Sequence, residues 1–260
     1  MSLAPDDRAA LVTRLRAAGC VFAEQEAALL LGQAQSPGQL ERMTQLRISG
    51  TPLEHVLGWA EFDGCRVTVA AGVFVPRHRS VFLVELAQER VRPGSQVLDL
   101  CCGTGALSLA LAHRVPGIGI TASDIDPAAA ACAQRNLAAV NGQAYVADLF
   151  AGLPADMRFD LVLVNAPYVP TESIALMPAE ARDFEARAAL DGGTDGLDLH
   201  RRIAQECGAW LAPEGRLIIE TSQAQAEQSA QAFVETGMQA RAVQSDERDC
   251  TAVEAWLAAS

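Results

Sequence analysis

The chain contains 260 residues, half of them hydrophobic, which is enough for one α/β domain with a small additional unit. Its formal net charge is −12, its sequence pI is near 4.8, and arginine supplies all 20 basic residues because lysine is absent. This acidic balance argues against nonspecific binding to nucleic acid, whose affinity depends on neutralising phosphates.

Nothing in the sequence indicates membrane attachment or a metal site. No apolar run approaches the ~20 residues that cross a bilayer, and residues 1–16 lack the apolar stretch of a signal peptide. We therefore expect a cytoplasmic protein with no membrane partner. The seven cysteines form no C-x-x-C pair and no metal-ligand spacing with histidine, so we expect reduced, buried thiols and no bound metal.

The first part of the chain has the periodicity of a small helical unit. Ser36-Pro37 is a typical pair for the start of a helix, and Gly19 and Gly32 are typical of helix ends. Apolar residues then alternate from 61 to 75, which predicts a β-hairpin between two domains. The predicted helices cover residues 7–18, 23–33 and 37–48, a short turn after Pro52, and residues 80–91.

After Pro93 the chain alternates regularly between strands and helices, which predicts a parallel sheet covered by helices on both faces. The last two strands follow each other without a helix, which predicts an antiparallel hairpin at one edge. The predicted strands are 96–100, 118–122, 144–147, 160–164, 216–221, 239–243 and 252–257, and the predicted helices are 106–113, 127–140, 197–211 and 225–235.

The first strand of this alternation ends in a glycine-containing turn. Gly103 and Gly105 have no side chains, so the backbone of the turn can approach a ligand closely. Free N–H groups at the start of the following helix can bind a carboxylate or a phosphate. A plain tight turn between strand and helix is the alternative, and only the position of the turn in the alternating unit favours a ligand.

The next two strands also end in acidic residues. Asp124 lies about twenty residues beyond the glycine turn, where a carboxylate accepts hydrogen bonds from the hydroxyls of a ribose. Asp126-Pro127 is explained instead as the cap and first residue of the next helix. Asp148, followed by Leu149, ends the third strand and could accept from the exocyclic amine of a purine, although a solvated turn is an equal alternative.

The fourth strand, 160–164, is followed directly by Asn165-Ala166-Pro167-Tyr168. This tetrapeptide combines an amide, a free backbone carbonyl, a rigid ring and an aromatic face, which together suit the binding of a planar NH2 group. Because parallel strands end at the same edge of a sheet, the four strand ends should form one crevice. A nucleoside beside an NH2 group favours methyl transfer from S-adenosylmethionine. Hydride transfer is disfavoured because the third glycine of G-x-G-x-x-G is Ser108 here.

These motifs resemble the protein-(glutamine-N5) methyltransferase family, which modifies peptide chain release factors. The resemblance covers most of the chain, and two of its segments, 189–197 and 211–217, are specific to the family. The segments that resemble the family are Gly50 to Gly58, Phe74-Val75-Pro76-Arg77, Asp99 to Gly105, Asp124, Asp148, the tetrapeptide, Ala189 to Leu197, and Leu211 to Leu217.

The resemblance implies a fold and a domain division. The fold would be α/β, with a seven-stranded Rossmann-like sheet of the class I methyltransferases, a small N-terminal helical domain and a linking β-hairpin. Residues 1–60 would recognise the protein substrate, or would serve only as a packing unit. Residues 61–76 would link the domains, and residues 77–260 would form the methyltransferase domain.

The resemblance also implies the cofactor, the reaction and the site. The enzyme would use S-adenosylmethionine to methylate a glutamine amide in the Gly-Gly-Gln motif of a release factor. Asn165, Ala166, Pro167 and Tyr168 would be catalytic and would bind the substrate, with Arg77 either contacting the substrate or forming a salt bridge. The cofactor would bind to Asp99, Cys101, Cys102, Gly103, Thr104, Gly105, Asp124, Ile125, Asp148, Leu149 and Asn165.

Three positions differ from the family pattern. Cys101 replaces a glycine, Ala166 replaces the first proline of Asn-Pro-Pro-Tyr, and His78-Arg79-Ser80 replaces an acidic run. If position 166 acts through its carbonyl, alanine preserves the contact and loses some rigidity. Two other functions compete with this hypothesis: a methyltransferase acting on adenine or cytosine amines, and a cofactor-binding module without activity. The acidic charge and segment 189–197 count against the first, and the presence of Asn165, Pro167 and Tyr168 against the second.

Overall fold

The computed structural model describes residues 5–258, and its N-terminal part is helical as predicted. Ser36 caps α3, because its side chain accepts a hydrogen bond from the backbone N–H of Gln39 at 3.2 Å. Apolar side chains of these helices, among them Leu15 and Leu30, form a core of their own. The helices are α1 (Pro5–Ala17), α2 (Ala23–Gln33), α3 (Pro37–Ile48) and α4 (Leu53–Leu57).

The linking hairpin is present, but it is shorter than predicted. It consists of β1 (Trp59–Phe62) and β2 (Cys65–Thr68), which pair antiparallel. The prediction that the strand pattern extends to Val75 is wrong. Val73 and Val75 are buried as the alternation suggests, but they pack from an irregular segment, one against α7 and one against the hairpin. Alternating burial therefore does not require a strand here.

The second part of the chain contains the predicted seven-stranded sheet, with strand order β5-β4-β3-β6-β7-β9-β8. The strands from β3 to β7 run parallel, and β9 pairs antiparallel with both β7 and β8. The antiparallel edge hairpin is thus confirmed. The strands are β3 (Gln96–Leu100), β4 (Gly119–Asp124), β5 (Gln143–Val146), β6 (Phe159–Val164), β7 (Leu211–Thr221), β8 (Met238–Ser245) and β9 (Cys250–Leu257).

Helices cover both faces of this sheet, and alternate residues of the strands point to the two faces. Val97 and Leu161 belong to one apolar core, whereas Leu98 and Val162 belong to the other. The first core is completed by α5, α6 and α7, and the second by α9 and α10. The helices of this part are α5 (Val81–Gln88), α6 (Ala106–Arg114), α7 (Pro127–Leu137), α8 (Ala179–Phe184), α9 (Asp198–Cys207) and α10 (Ala226–Val234).

The segment between β6 and α9 has structure that the sequence did not predict. It contains 3-10 turns at Thr171–Leu176 and Arg187–Ala189 on either side of α8. Glu180 of α8 binds Arg47 of α3 at 2.6 Å, and Glu185 accepts from the backbone N–H of Val75 at 3.2 Å. This segment therefore contacts both the N-terminal helices and the linker.

The predicted end of α9 at residue 211 is wrong. The helix ends at Cys207, and Leu211 already pairs with Phe159 in the sheet. Within residues 5–258, no helix is long and apolar enough to cross a membrane.

Candidate active site

A cavity of about 1040 Å³ lies at the carboxyl edge of β3, β4 and β6. Pockets for cofactors and small ligands commonly measure about 300–1,000 Å³, so the cavity has room for a large ligand. All of the predicted site residues except Gly105 line it: Arg77, Asp99, Cys101, Cys102, Gly103, Thr104, Asp124, Ile125, Asp148, Leu149, Asn165, Ala166, Pro167 and Tyr168. The four strand ends therefore do meet in one crevice.

The glycine turn follows β3 and uses its two glycines differently. Gly103 (φ +54) lies on the cavity wall, and a side chain there would meet its first atom, Phe74 Cβ, at 4.0 Å. Gly105 (φ +73) faces α7 instead, where an added Cβ would lie 3.2 Å from the Cβ of Ala133. Gly103 thus allows a ligand to approach the backbone, and Gly105 allows the turn to pack against α7.

Cys101, which stands where the family has glycine, adopts the left-handed conformation with φ +58. This conformation costs a residue with a Cβ about 1–2 kcal/mol. We expect Cys101→Gly to raise the free energy of unfolding by about 1 kcal/mol, measured from the midpoint of urea unfolding. Cys102→Gly is the matched control: Cys102 is buried and has no positive φ, so its loss should lower stability. A lower stability for Cys101→Gly would contradict the prediction.

Asp99 lies on β3, 1% exposed, at the base of the cavity. Its Oδ2 accepts from the hydroxyl of Ser108 at 2.7 Å and from the backbone N–H of Ser108 at 3.3 Å. Its Oδ1 is buried and has no hydrogen-bond partner among the described residues. Burial raises the pKa of Asp99 to about 7. A buried acceptor without a partner indicates a place for a donor from a ligand, and a cation would satisfy it best.

Asp124 and Asp126 make different contacts, and Asp126 has the capping role expected from the sequence. Asp124, at the end of β4, accepts from the backbone N–H of Gly103 and from that of Asp126, both at 2.9 Å. Desolvation raises its pKa. Asp126 caps α7 by accepting from the backbone N–H of Ala128 at 2.8 Å. The carboxylate of Asp124 therefore orients the glycine turn and keeps unused lone pairs at the cavity, with Ile125 beside it, 61% exposed.

Asp148 follows β5, and both of its carboxylate oxygens lie 3.0 Å from Nη2 of Arg202 on α9. Its side chain is half-exposed. Leu149 next to it is buried and has a left-handed backbone with φ +54. The pair forms a sharp turn that brings a carboxylate and an apolar surface to the cavity wall.

Asn165 and Ala166 follow β6 and present two acceptors. Asn165 Nδ2 donates to the hydroxyl oxygen of Ser80 at 3.3 Å. Among residues 5–258, neither Asn165 Oδ1 nor the carbonyl oxygen of Ala166 receives a hydrogen bond. Both residues line the cavity. Two neighbouring, unused acceptors are what a side-chain NH2 group requires.

The hydroxyl of Tyr168 is held by two charged side chains. It accepts from Nη2 of Arg79 at 2.8 Å and donates to Oε1 of Glu220 at 3.0 Å. Burial, with the charge of Glu220, raises the pKa of Tyr168 above its ordinary value. The phenol is therefore neutral in the ordinary pH range, and its ring is fixed against the cavity.

The glycine-rich segment before α9 supports the backbone of the tetrapeptide. A Cβ on Gly192 would lie 2.8 Å from the carbonyl oxygen of Pro167, and one on Gly196 would lie 2.2 Å from that of Tyr168. Gln225 Nε2 also donates to the carbonyl of Tyr168 at 2.9 Å. Glycine is required at both positions because the backbone of this segment touches the backbone of the tetrapeptide. This contact gives a physical reason for the glycines of segment 189–197.

Arg77 forms a salt bridge and also lines the cavity. Its Nη2 lies 2.8 Å from each carboxylate oxygen of Glu185, and its guanidinium lies 4.7 Å from the centre of the Phe74 ring. Burial raises the pKa of Glu185, and the positive charge of Arg77 partly offsets this increase. Arg77 thereby joins the linker to the segment that carries α8.

Ser80, Arg79 and Glu220 also belong to the site, although none of them is a predicted site residue. In the sequence, Ser80 and Arg79 stand out only as a departure from the family pattern. Glu220 stands near the end of the predicted strand 216–221, which is also a position typical of a solvated loop residue. All three meet next to Asn165 and Tyr168, and the signal for Glu220 was its position at the carboxyl end of the fifth parallel strand, β7.

Comparisons with known proteins agree with this geometry. The family model of the methyltransferase small domain matches residues 65–242. A release factor glutamine methyltransferase from Moorella thermoacetica is 35% identical over 232 residues, covering 80% of this chain and 82% of the relative. One from Geobacter sulfurreducens is 38% identical over 193 residues, covering 74% of this chain and 68% of the relative. The chain belongs to the family of release factor glutamine methyltransferases.

Membership of this family confirms the predicted fold class and makes the chain an enzyme that uses S-adenosylmethionine. Among solved structures, a 16S rRNA N2 methyltransferase from T. thermophilus, in complex with AdoMet and guanosine, matches with a TM-score of 0.56. It is 22% identical over 76% of this chain and 49% of that chain, so the likeness concerns the fold alone.

The cavity of this family member has the groups that S-adenosylmethionine requires. Asp99 Oδ1 has no hydrogen-bond partner within residues 5–258 and would accept from the ammonium group of the methionine part. Gly103 leaves space for close approach to the backbone. Asp124 offers carboxylate lone pairs at the distance along the chain that nucleoside binding requires. The residues present therefore fit the cofactor.

Proposed function

We propose that this chain methylates the side-chain amide nitrogen of a glutamine in a peptide chain release factor, at the Gly-Gly-Gln motif. The observation that carries the proposal is the pair of unused acceptors, Asn165 Oδ1 and the carbonyl of Ala166, beside a cavity that fits S-adenosylmethionine. The curated relatives named as release factor glutamine methyltransferases support the same substrate.

The two acceptors answer the main difficulty of the reaction. An amide nitrogen is a poor nucleophile because its lone pair is delocalised into the carbonyl group. Asn165 Oδ1 and the Ala166 carbonyl would each accept one N–H of the glutamine amide, which fixes the plane of the NH2 group and aims its lone pair at the methyl. Partial positive charge that develops on nitrogen would be stabilised by the same two oxygens.

When bound, S-adenosylmethionine supplies a sulfonium methyl group as the electrophile. The residues of this chain hold the nitrogen and orient it toward the methyl group. Tyr168, fixed through its hydroxyl, would cover one face of the amide and favour its developing positive charge. The methylated amide nitrogen is strongly acidic while it is cationic, so its surplus proton passes to water and no protein base is needed.

We expect the cofactor to bind to the residues predicted from the sequence. Asp99 would bind the ammonium group, and residues 101 to 105 would surround the methionine part. Asp124 would accept from the ribose hydroxyls, with Ile125 covering the sugar. Asp148 would accept from the adenine amine while it remains bound to Arg202, and Leu149 would pack on the ring. Asn165 would lie where cofactor and substrate meet.

The N-terminal helical unit, residues 1–60, would recognise the body of the release factor. Residues 61–76 would link it to the methyltransferase domain at 77–260. The salt bridge of Arg47 with Glu180 joins the helical unit to the segment that borders the cavity, which supports a role in substrate binding. Arg77 would contribute to the same side of the site, through its position on the cavity wall.

Cofactor binding should depend on pH through Asp99, whose pKa is about 7 in the free protein instead of the ordinary 3.8. An ammonium partner stabilises the carboxylate, so binding releases a proton at low pH, and affinity for S-adenosylmethionine should rise between about pH 6 and about pH 7.5.

The raised pKa of Asp99 also affects the stability of the free protein. The free energy of unfolding should fall as the pH rises from 3.8 to about 7, because over this window the folded protein holds a proton that the unfolded chain has released.

Titration calorimetry in two buffers with different ionisation heats would measure this proton release. Asp99→Asn should bind more weakly and show no dependence on pH over the same interval. If the unchanged protein bound S-adenosylmethionine equally well at about pH 6 and about pH 7.5, an ammonium contact at Asp99 would be ruled out.

The experiment that tests the function is methyl transfer from labelled S-adenosylmethionine into a purified release factor, followed by mass spectrometry of the Gly-Gly-Gln peptide. A release factor with glutamate in place of that glutamine is the matched control. We expect label on the glutamine peptide and none on the control. Label on a tRNA or a DNA oligonucleotide, with none on protein, would instead establish the nucleic-acid alternative.

A further inference from the structure

Glu220, at the carboxyl end of β7, is 1% exposed and accepts hydrogen bonds from three side chains. Its Oε1 accepts from Nε of Arg79 at 3.1 Å and from the hydroxyl of Tyr168 at 3.0 Å. Its Oε2 accepts from the hydroxyl of Ser80 at 2.5 Å. Ser80 in turn contacts Asn165. One buried carboxylate is thus connected to both polar side chains of the tetrapeptide.

The directions of these hydrogen bonds determine the orientation of the Asn165 amide. An ionised carboxylate can only accept, so the single proton of the Ser80 hydroxyl must point to Glu220. The hydroxyl oxygen of Ser80 is then available to Asn165 only as an acceptor. Asn165 must therefore turn its NH2 group toward Ser80, at 3.3 Å, and its Oδ1 away from Ser80.

We propose that Glu220 acts through Ser80 as a positioning residue that keeps Oδ1 of Asn165, and not its NH2 group, directed at the substrate amide. The proposal rests on the proposed function, in which Oδ1 accepts from the glutamine NH2 group. Without a fixed direction, the side-chain amide of Asn165 could rotate by half a turn at little cost in packing, because its oxygen and nitrogen have nearly the same size. The rotated form would place a donor against a donor.

Arg79 makes the buried charge of Glu220 tolerable. A carboxylate without a counter-charge is costly to bury, and the guanidinium of Arg79 lies against Oε1 of Glu220. Arg79 also donates to the hydroxyl of Tyr168, so one guanidinium holds both the buried carboxylate and the phenol.

Glu220→Gln tests the proposal with almost no change in size. Arg79 can only donate, so it would hold the amide oxygen of the new side chain and turn its NH2 group toward Ser80. Ser80 would then accept from residue 220 and donate to Asn165, which reverses the amide of Asn165. We expect kcat for methyl transfer to fall about 100-fold, while the dissociation constant of S-adenosylmethionine stays within about threefold, since no bond to Asp99 or Asp124 changes.

A second substitution separates this mechanism from a structural role. Removing the hydroxyl with Ser80→Ala abolishes the connection, so Asn165 loses its fixed direction without being held in the wrong one. The double variant Glu220→Gln with Ser80→Ala should therefore be more active than Glu220→Gln alone, by about tenfold. Ser80→Thr keeps the hydroxyl and should retain nearly full activity. A purely structural role predicts the opposite, with the double variant less active than either single variant.

Glu254→Gln is the matched control. Glu254, on β9, is a second buried glutamate. It forms salt bridges with Arg90 and Arg241 and pairs across the sheet with Ile218 of β7. Its substitution should leave kcat unchanged. Melting temperatures with and without cofactor verify that each variant is folded.

The assays are run on the protein that the unchanged enzyme labels. If release factor is not labelled, the proposed function fails, and the same variants are compared on the protein labelled in a cell extract. If the unchanged enzyme labels release factor but Glu220→Gln keeps more than half of its kcat, the proposed function stands and Glu220 has no positioning role. A double variant less active than Glu220→Gln would also overturn the proposal.

Discussion

Replacing Asn165 by alanine is expected to lower kcat for glutamine methylation about 1,000-fold. The substitution removes the acceptor Oδ1 and leaves one N–H of the substrate amide without a partner next to the methyl group. The backbone acceptor at Ala166 remains, but a single hydrogen bond leaves the amide free to rotate. The rate is measured in single turnovers with saturating S-adenosylmethionine, so that cofactor affinity and product release do not contribute.

Because Asn165 is also one of the proposed cofactor-binding residues, the Asn165→Ala variant should bind S-adenosylmethionine more weakly, but Asp99 and Asp124 lie on other strands and should keep most of the affinity. Its melting temperature in the presence of cofactor serves as the folding control. Full methylation by a folded Asn165→Ala variant would contradict the role of the tetrapeptide, and a variant that no longer binds the cofactor would assign Asn165 to binding instead of the chemical step.

The second large effect is expected at Asp124. Asp124→Asn replaces one acceptor oxygen by NH2, which would face the backbone N–H of either Gly103 or Asp126. One hydrogen bond of the turn is lost and so is part of the ribose contact. Hydrogen bonds to charged groups contribute about 1.5–3 kcal/mol each, so we expect the dissociation constant of S-adenosylmethionine to rise about 100-fold, as measured by calorimetry.

Asp126→Asn provides the matched control, two residues away and with the same chemical change. Asp126 caps α7, and asparagine caps a helix as well as aspartate does. Cofactor affinity and stability should therefore remain nearly unchanged. If Asp126→Asn weakened binding more than Asp124→Asn, the assignment of one residue to the ligand and the other to the helix would have to be exchanged.

Much of the fold was predictable because the signals are local. Ser36-Pro37 and Asp126-Pro127 cap and start helices where they were expected. The buried strand before the tetrapeptide, β6, starts within one residue of its predicted position. A cap, a proline and a run of apolar β-branched residues act within a few positions of the chain, so the sequence is sufficient to place them.

Two predictions failed for lack of local information. Val73 and Val75 are buried at alternate positions as in a strand, but residues 69–75 have no partner strand within residues 5–258, and partner choice is a property of the whole fold. The helix expected to reach residue 211 is shortened because Leu211 pairs with Phe159. The segment around α8 is held by contacts of Glu180 to Arg47 and of Glu185 to Val75, which lie far away in the chain.

The contacts around Glu220 join residues that are very far apart in the chain. Ser80 and Glu220 are 140 residues apart in the chain, and Asn165 and Ser80 are 85 apart. Sequence reasoning could place Glu220 at the correct edge of the sheet, but no pattern in the sequence indicates which hydroxyl it would meet. The candidate site was therefore predictable in its strand ends and not in the network that orients it.

The bond between Arg47 and Glu180 limits how this protein can be recombined with its relatives. Arg47 is nearly buried and also binds Glu26 within the N-terminal helices, whereas Glu180 comes from a segment more than a hundred residues later. A chimera that exchanges only residues 1–60 would place an unrelated side chain opposite Glu180. A chimera that exchanges residues 171–189 together with them would keep both halves of the contact, so these two separate stretches have to be exchanged together.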